Sequence, residues 1–349
     1  MEMSLKKFRE NFLDATLDFL WTAWTGFGVQ GASSGKIRKV LDPEALLLFT
    51  LYFSVYDQRL MDEVIDWLTV NARWLNYRRL NTLSAGWSVV FPQLLAAGEI
   101  IQEYGKPNTW HLNPAKFKKG KQKDVKTFLL KDETPIPVMG EMDEIFNRNG
   151  FKRDKLILRG MSQRVRTDGW ANLIFKLRSV FGVNSRAEIF AYLLVKDCGY
   201  PSKISRETDY SQKNIQDTLV EIAASGLLDR FPSGRSILYR LRKREEWYVH
   251  FGLDKATVPK QWIHWRSVFW ELRLVWHEVR NLDDDAEPYR VFTRILTHLN
   301  QAKGKTGYPS YAFAAVYSRM YEGEGSTNAL LQEIKEIYQE LYVLKQQSR

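Results

Sequence analysis

The clearest pattern of hydrophobic and polar positions lies in residues 184–241. Ser185 and Glu188 form the S-x-x-E pattern that caps the start of a helix. Apolar residues follow at helical spacing, as expected for a helix with one buried face. A second short helix is predicted over Pro201–Thr208, because proline is tolerated in a first helical turn. The apolar positions that define these two helices are Ile189, Phe190, Leu193, Leu194 and Ile204.

A third helix and a hairpin are predicted directly after these two. Residues 209–210 make a tight turn, and Ser211 is the predicted cap of the third helix. Its apolar positions Ile215, Leu219 and Ile222 are four and three residues apart, which places them on one buried face. Gly226 ends the helix. Residues 227–231 and 237–241 are then predicted strands, joined by a turn over residues 232–235.

This order of elements is typical of a winged helix-turn-helix, whose third helix enters the major groove of DNA. The outer face of that helix carries glutamine, asparagine and lysine, which can pair with adenine, guanine or phosphate. Cations on the second helix and at the hairpin turn suit phosphates or the minor groove. The candidate DNA-binding residues are Lys203, Arg206, Ser211, Gln212, Lys213, Asn214, Gln216 and Arg235. Asp217 counts against the simplest arrangement, because an acid that faces DNA needs a cytosine amino group or a basic neighbour.

At these residues the chain resembles the winged-helix transcriptional regulators of the ArsR and MarR type. The run SQKNIQDTLVEIAASGLLDRF is similar to their recognition helix and first wing strand, and GRSILYRL is similar to their second wing strand. The resemblance covers about a sixth of the chain and implies a type of domain rather than one protein. Metal sensors of that group use cysteine pairs near the recognition helix. This chain has one cysteine, Cys198, so the resemblance implies no metal sensing.

A weaker second copy of the pattern is predicted in residues 43–113, after a first amphipathic helix. Asp42 caps a strongly apolar helix there, and more helices follow. The small residues 96–98 match the helix end at residues 224–226, and a strand, a Gly/Pro turn and a second strand are predicted beyond them. Pro92 inside the preceding helix weakens the match. The alternative is a helical domain that ends in a chance hairpin.

The remaining parts of the chain are a predicted connector and a predicted helical bundle. Residues 114–167 hold two basic stretches, and a connector of this kind would add phosphate contacts to those of the helix-turn-helix. In residues 246–349, a helix from Pro259 to Val279 has a heptad seam of aromatic residues. Further helices are predicted over residues 289–299, 311–321 and 326–344, and the last of them has heptad spacing that suits the bundle or a dimer.

The predicted fold class is therefore mainly α with small β-wings: tandem winged helix-turn-helix units plus a C-terminal helical bundle. The predicted domains are residues 1–113 (helical, with the divergent winged helix), 114–167 (basic connector), 168–245 (winged helix-turn-helix) and 246–349 (bundle for dimerisation or partner binding). A chain of 349 residues is long enough for two or three domains.

Composition agrees with a nucleic-acid partner and restricts other classes of function. Lys and Arg exceed Asp and Glu by 51 to 41, a net charge of +10 that is consistent with a polyanion. A single cysteine excludes disulfides within the chain and fits a reducing cytoplasm. No signal peptide or membrane span is evident, so a soluble cytoplasmic protein is expected.

No pattern predicts catalysis, a metal site or a cofactor. The five histidines are isolated, and the glycine-rich loop GFGVQGASSGKIRK lacks both the spacing of a phosphate-binding loop and the Ser or Thr that follows its lysine. The sequence predicts a protein that is not an enzyme. Its expected function is that of a transcriptional regulator that binds double-stranded DNA, with a homodimer through the C-terminal helices. The alternatives are an antitoxin-like or defence-system component that binds a protein partner, and a replication-initiator type of tandem winged-helix protein.

Overall fold

The computed structural model describes residues 4–32, 35–105, 110, 126–280, 282, 297 and 332, and the backbone alone of residues 342–344. This part of the chain is mainly helical with a small sheet, which confirms the mainly α prediction. None of the described helices is both long enough and apolar enough to cross a membrane.

The elements of the N-terminal half begin with a long helix. They are α1 (Leu5–Phe27), β1 (Gly35–Ile37), α2 (Pro43–Phe53), α3 (Gln58–Asn71), α4 (Tyr77–Leu83), α5 (Phe91–Tyr104), β2 (Lys126–Thr127), α6 (Glu144–Arg148) and β3 (Phe151–Lys152). The starts of these helices follow from capping side chains. Asp42 accepts a hydrogen bond from the Ala45 backbone N–H at 3.0 Å, as predicted, and Asp57 and Asn76 do the same for α3 and α4.

The second half holds shorter helices and a three-stranded sheet. Its elements are α7 (Leu173–Phe181), α8 (Ser185–Val195), β4 (Cys198–Gly199), α9 (Pro201–Thr208), α10 (Gln212–Ala224), β5 (Leu228–Ser233), β6 (Ser236–Leu241), α11 (Arg244–His250), α12 (Trp265–Val279) and β7 (Tyr342–Leu344). The helices predicted over residues 289–299, 311–321 and 326–341 lie outside the described residues, apart from single helical positions at 297 and 332.

A first hydrophobic core joins α1–α5 with α12. Phe49 of α2 and Phe269 of α12 stack with ring centroids 4.3 Å apart, and Phe12 and Trp276 stack at 5.5 Å. Each such buried aromatic stabilises the fold by about 1.5–3 kcal/mol because its apolar surface is removed from water. The heptad seam of α12 is therefore a core face, and its partners are α1 and α2 of the same chain.

The start of α12 differs from its prediction. The helix begins at Trp265 rather than at Pro259, and the preceding Trp262 packs against a second core instead. The Trp262 Nε1–H donates to the carbonyl of Glu207 at 2.8 Å. The seam residues thus divide between two cores, because the chain passes from one to the other just before α12.

The helix end and strand predicted around Gly98 are wrong. Helix α5 continues through Gly98 to Tyr104, and Pro92 lies in its first turn instead of interrupting it. Gly98 is buried in a helix whose apolar face, including Ile100 and Ile101, packs on α3. Burial of that face outweighs the low helix propensity of glycine. Within described residues 43–105 there is accordingly no hairpin that could form a second wing.

Residues 126–167, the described part of the predicted connector, form a layer on the first core. Phe128, Phe146 and Phe151 are buried in that core, and β2 pairs in parallel with β3. The side chain of Arg153 is fully buried, lies 4.9 Å from the centroid of the Phe146 ring and donates to Asp62 at 2.6 Å. At least this basic side chain is part of the fold and is not free to contact phosphate.

The second core joins α7–α11 with the three-stranded sheet. Strand β6 lies between β4 and β5 and is antiparallel to both. Gly199 of β4 is required by close packing, since a Cβ there would lie 2.8 Å from side-chain atoms of Ile204 and Tyr192. The chain can therefore turn tightly from α8 into α9, which places α9 and α10 side by side.

The last described segment also departs from its prediction. Residues 342–344, predicted as the end of a helix, form β7, which pairs antiparallel with β1 so that Ile37 lies opposite Tyr342. The backbone of these residues hydrogen-bonds to β1, some 300 residues earlier in the chain, instead of forming the hydrogen bonds of a helix. Position in sequence gives no indication of such a partner.

Candidate nucleic-acid interface

Helices α9 and α10 meet at a short turn, and their buried faces hold them on the second core. Helix α9 ends at Thr208, and Asp209 adopts the left-handed conformation with φ 56°. Ser211 caps α10, where its Oγ accepts from the Asn214 N–H at 3.3 Å. Ile215 and Leu219 are fully buried and Ile222 nearly so, which confirms the predicted inner face of this helix.

The outer face of α10 presents most of its predicted contacts to solvent. Ser211, Gln212, Lys213 and Asn214 are exposed at its first turn, whereas Gln216 is only half-buried one turn later. The Ser211 hydroxyl already serves as the helix cap. Three side chains at this end are thus exposed and able to bond outward.

On α9, Lys203 and Arg206 are also exposed. They lie on the side of the helix opposite the fully buried Ile204. Both side chains are therefore on the solvent side of α9.

The hairpin of β5 and β6 carries the remaining predicted residue, Arg235, at its tip. The strands extend further than predicted, since Ser233 pairs with Ser236 and only Gly234 and Arg235 remain in the turn. Gly234 has φ 59°, as the first position of a type II′ turn requires. Arg235 is exposed there. The hydroxyl groups of Tyr200 and Ser233 lie 2.8 Å apart, which ties the hairpin to the start of α9.

Two further cations of the hairpin did not emerge from the sequence. Arg230 and Arg240 are both exposed. The Arg240 guanidinium lies 5.4 Å from the centroid of the Phe231 ring and 2.8 Å from a carboxylate oxygen of Asp197. For Arg240 the available signal was its place between the buried Tyr239 and Leu241, which puts its side chain on the outer face of the strand. Arg230 lies opposite Tyr239 and so shares the inner face, and its strand pattern gave no such signal.

A network of buried charges fixes the turn between α9 and α10 to the first core. Asp209 accepts from the Arg266 guanidinium at 2.8 Å and lies 3.1 Å from the ring Nε2 of His264. Arg79 of α4 lies 3.8 Å from Asp209 and donates from Nε to the carbonyl of Thr208 at 3.1 Å. The turn is thus held by side chains from α4 and from the start of α12.

The same network continues inward through carboxylates of α2. Arg79 pairs with Asp42 and, at 2.9 Å, with Glu44. Arg178 of α7 bridges Glu44 and Glu188 with both distances at 2.7 Å. Glu188 therefore does not complete the predicted capping box. Asn184 rather than Ser185 caps α8, because the Glu188 carboxylate is occupied by a buried arginine.

The charges of the network shift the pKa values of its carboxyl groups. Burial alone would raise the pKa of Asp209, but the hydrogen bond from His264 and the charges of His264, Arg79 and Arg266 hold it well below its usual range. Burial likewise opposes ionisation of Asp42, and the charge and hydrogen bonds of Arg79 lower its pKa below the usual value. The ionised forms of Asp209 and Asp42 are thus favoured, whereas burial raises the pKa of Glu188 against the opposing charges of Arg178 and Arg79.

A cleft of about 650 Å³ separates α4 from the first turn of α10. Ser211 and Asn214 line one wall, and Arg73, Asn76 and Arg78 line the other. Arg73 and Arg78 are exposed, unlike Arg79, which points into the core. This second basic wall comes from the N-terminal half of the chain and was not among the predicted site residues.

The glycine-rich loop after α1 does not have the architecture of a phosphate-binding loop. Such a loop follows a strand and opens a helix. Here the stretch begins at the end of α1, and the short strand β1 lies within its second half. Residues 33–34 lie outside the described part of the chain.

Within the described residues, no group of three or more His, Cys, Asp or Glu side chains is arranged to hold a metal ion. Comparisons of the chain with models of protein families, with curated proteins and with solved structures find no match. Any assignment of function must therefore come from the geometry of the site itself.

Proposed function

We propose that this chain is a DNA-binding protein and that residues 168–245 form a winged helix-turn-helix. The order α8, β4, α9, α10, β5, β6, with β6 between the other two strands, supports this proposal. In this arrangement α10 is the recognition helix and the hairpin of β5 and β6 is the wing. The replication-initiator alternative has less support, because described residues 43–105 hold no second hairpin.

One observation carries the proposal: a solvent-exposed polar first turn of α10 lies on the same unit as an exposed arginine at the hairpin tip. An α-helix fits the major groove, and residues at its N-terminal end reach base edges. Gln212 and Asn214 supply the amide groups that pair with adenine, and Lys213 supplies a cation for guanine or phosphate. Arg235 then contacts the backbone or minor groove, and Lys203 and Arg206 position the unit on phosphates.

The biological role we propose is that of a transcriptional regulator. Two recognition helices one turn of DNA apart require a dimer. The seam of α12 is buried within the chain, and the other C-terminal helices predicted to form the dimer lie outside the described residues, apart from single positions.

The proposal predicts salt-dependent binding of duplex DNA of random sequence. Each phosphate neutralised by a cation contributes about −0.9 to the slope of log affinity against log salt. The four cations Lys203, Arg206, Lys213 and Arg235 should together contribute about −4 to this slope between roughly 50 and 200 mM salt. Fluorescence anisotropy with a labelled duplex measures this slope. Absence of binding at the lowest salt concentration would refute the proposed function.

A protein-binding role is the second candidate, and one observation favours it. Val220 lies on the exposed side of α10 and is 42% exposed, and the exposed Asp217 lies one turn before it. An apolar residue beside an acid suits a protein surface better than a phosphate backbone. Failure to bind DNA at any salt concentration is the result that this candidate predicts.

A further inference from the structure

We propose that Arg73 and Arg78 form a second DNA-backbone contact, which places the N-terminal helical core on the phosphates beside the groove that α10 enters. This inference rests on the proposed function. It goes beyond it by assigning duplex contact to residues outside the winged unit. The exposed cations on the far wall of the cleft carry the inference.

The charge of the cleft is the first argument. Its acidic lining residue, Asp209, has a side chain only 3% exposed and is neutralised by Arg79, His264 and Arg266. Arg73 and Arg78, in contrast, are exposed. The accessible charges of the cleft are therefore positive, and a polyanion is the complementary partner.

The side chains of these arginines are held in place while their charge remains unneutralised. The Arg73 guanidinium lies 5.0 Å from the centroid of the Trp74 ring. Arg78 lies 5.8 Å from the centroid of the Tyr77 ring, and its Nε donates to the Tyr77 hydroxyl at 3.2 Å. Among the described residues, neither guanidinium pairs with a carboxylate. Stacked arginines with free N–H groups are well suited to bind phosphate oxygens.

The distance between the arginines and α10 is fixed by the buried network. The Asn76 amide donates to the hydroxyl of Tyr210 at 2.9 Å, and Arg79 bonds to Thr208 and Asp209 in the same turn. Asn76, Arg78 and Arg79 belong to one short helix and its cap. The major groove of DNA is about 12 Å wide. When α10 occupies this groove, Arg73 and Arg78 on the opposite wall of the cleft therefore lie beside the phosphates that border the groove.

The test replaces both arginines by glutamine, which removes the charge and keeps a long polar side chain. We expect Arg73→Gln with Arg78→Gln to reduce the salt slope of duplex binding by about 2, roughly 1 for each phosphate that is no longer neutralised. Affinity should fall by the same factor for a preferred duplex and for a random one, because phosphate contacts carry no sequence information. Both duplexes are measured by anisotropy across salt, and circular dichroism verifies the fold.

The matched control removes two positive charges elsewhere. Lys7→Gln with Lys255→Gln changes exposed residues that pair with Glu10 and Glu245, outside the cleft. This control variant should show the same slope of log affinity against log salt concentration as the natural protein. If both variants reduce the slope equally, net charge explains the effect and the inference is overturned.

Failure of this inference is distinguishable from failure of the proposed function. If the natural protein binds DNA and Lys213→Ala weakens binding, but the double arginine variant keeps the full slope, the second contact is refuted and the recognition helix stands. If the natural protein does not bind duplex DNA, both proposals fall together.

Discussion

Replacing Asp209 by asparagine should lower the free energy of unfolding by about 3–5 kcal/mol at neutral pH, because removal of one partner leaves buried charges uncompensated. The side chain of Asp209 is 3% exposed and faces Arg79, His264 and Arg266. Asparagine has nearly the same shape and also tolerates the left-handed backbone at φ 56°. The substitution therefore removes the charge with little change in backbone preference. Denaturant unfolding monitored by tryptophan fluorescence measures the effect.

The dependence of this effect on pH tests its electrostatic origin. Because the folded pKa of Asp209 lies below its unfolded value near 3.9, the carboxylate stabilises the fold fully above that value. This contribution is lost as pH falls from about 4 toward the folded pKa. The difference in the free energy of unfolding between the natural protein and the Asp209→Asn variant should accordingly become smaller as pH falls from about 5 to about 3. If this difference in stability stays constant with pH, the loss of stability comes from altered packing and not from the missing charge.

A matched control uses the same substitution at a surface ion pair. Asp229 has a side chain 34% exposed and accepts from Arg242 at 2.7 Å. Asp229→Asn should cost only about 0–1 kcal/mol, because exposed pairs contribute little. If Asp209→Asn lowers the free energy of unfolding no more than Asp229→Asn does, the buried charges do not stabilise the turn between α9 and α10.

Replacing Lys213 and Arg235 by alanine should weaken binding of a preferred duplex by about 1–3 kcal/mol for each contact that matters. The two side chains act differently. Lys213 lies at the first turn of α10, so its loss should also relax discrimination between preferred and random duplexes. Arg235 lies at the tip of the hairpin, so its loss should weaken binding to both duplexes by a similar factor.

The control for this prediction is Lys255→Ala with Lys260→Ala, which removes the same net charge from exposed residues after α11. Competition titrations with preferred and random duplexes at one salt concentration measure both affinity and discrimination. Unchanged affinity in the Lys213 and Arg235 variant would mean that α10 and the hairpin are not the reading surface.

Local patterns in the sequence predicted the three helices and the hairpin of residues 185–241 well. The spacing of Ile215, Leu219 and Ile222 defined the inner face of α10, and all three side chains are buried. The turn chemistry around Gly234 placed the hairpin to within two residues. These features depend on neighbours in sequence, so periodicity and turn residues suffice to predict them.

Features that depend on distant partners could not be predicted in this way. The contact between Arg79 and the turn at Thr208 joins residues 129 positions apart, and nothing near Arg79 distinguishes it from the exposed Arg78. Heptad spacing predicted that one face of α12 is buried but did not identify α1 and α2 as its partners. Gly98 resembled a helix end, because burial against α3 is not visible in the local sequence.

The most direct test of the central claim is site-specific photocrosslinking along α10. Cys198 is the only cysteine, so Cys198→Ser provides a background in which Gln212→Cys or Ala224→Cys carries a photoreactive label. Both positions are exposed, one at the first turn of α10 and one at its last residue. A label at position 212 should crosslink to a bound duplex, and a label at position 224 should not. Crosslinking from position 224 alone, or from neither position in a complex that forms, would contradict insertion of this helix into DNA.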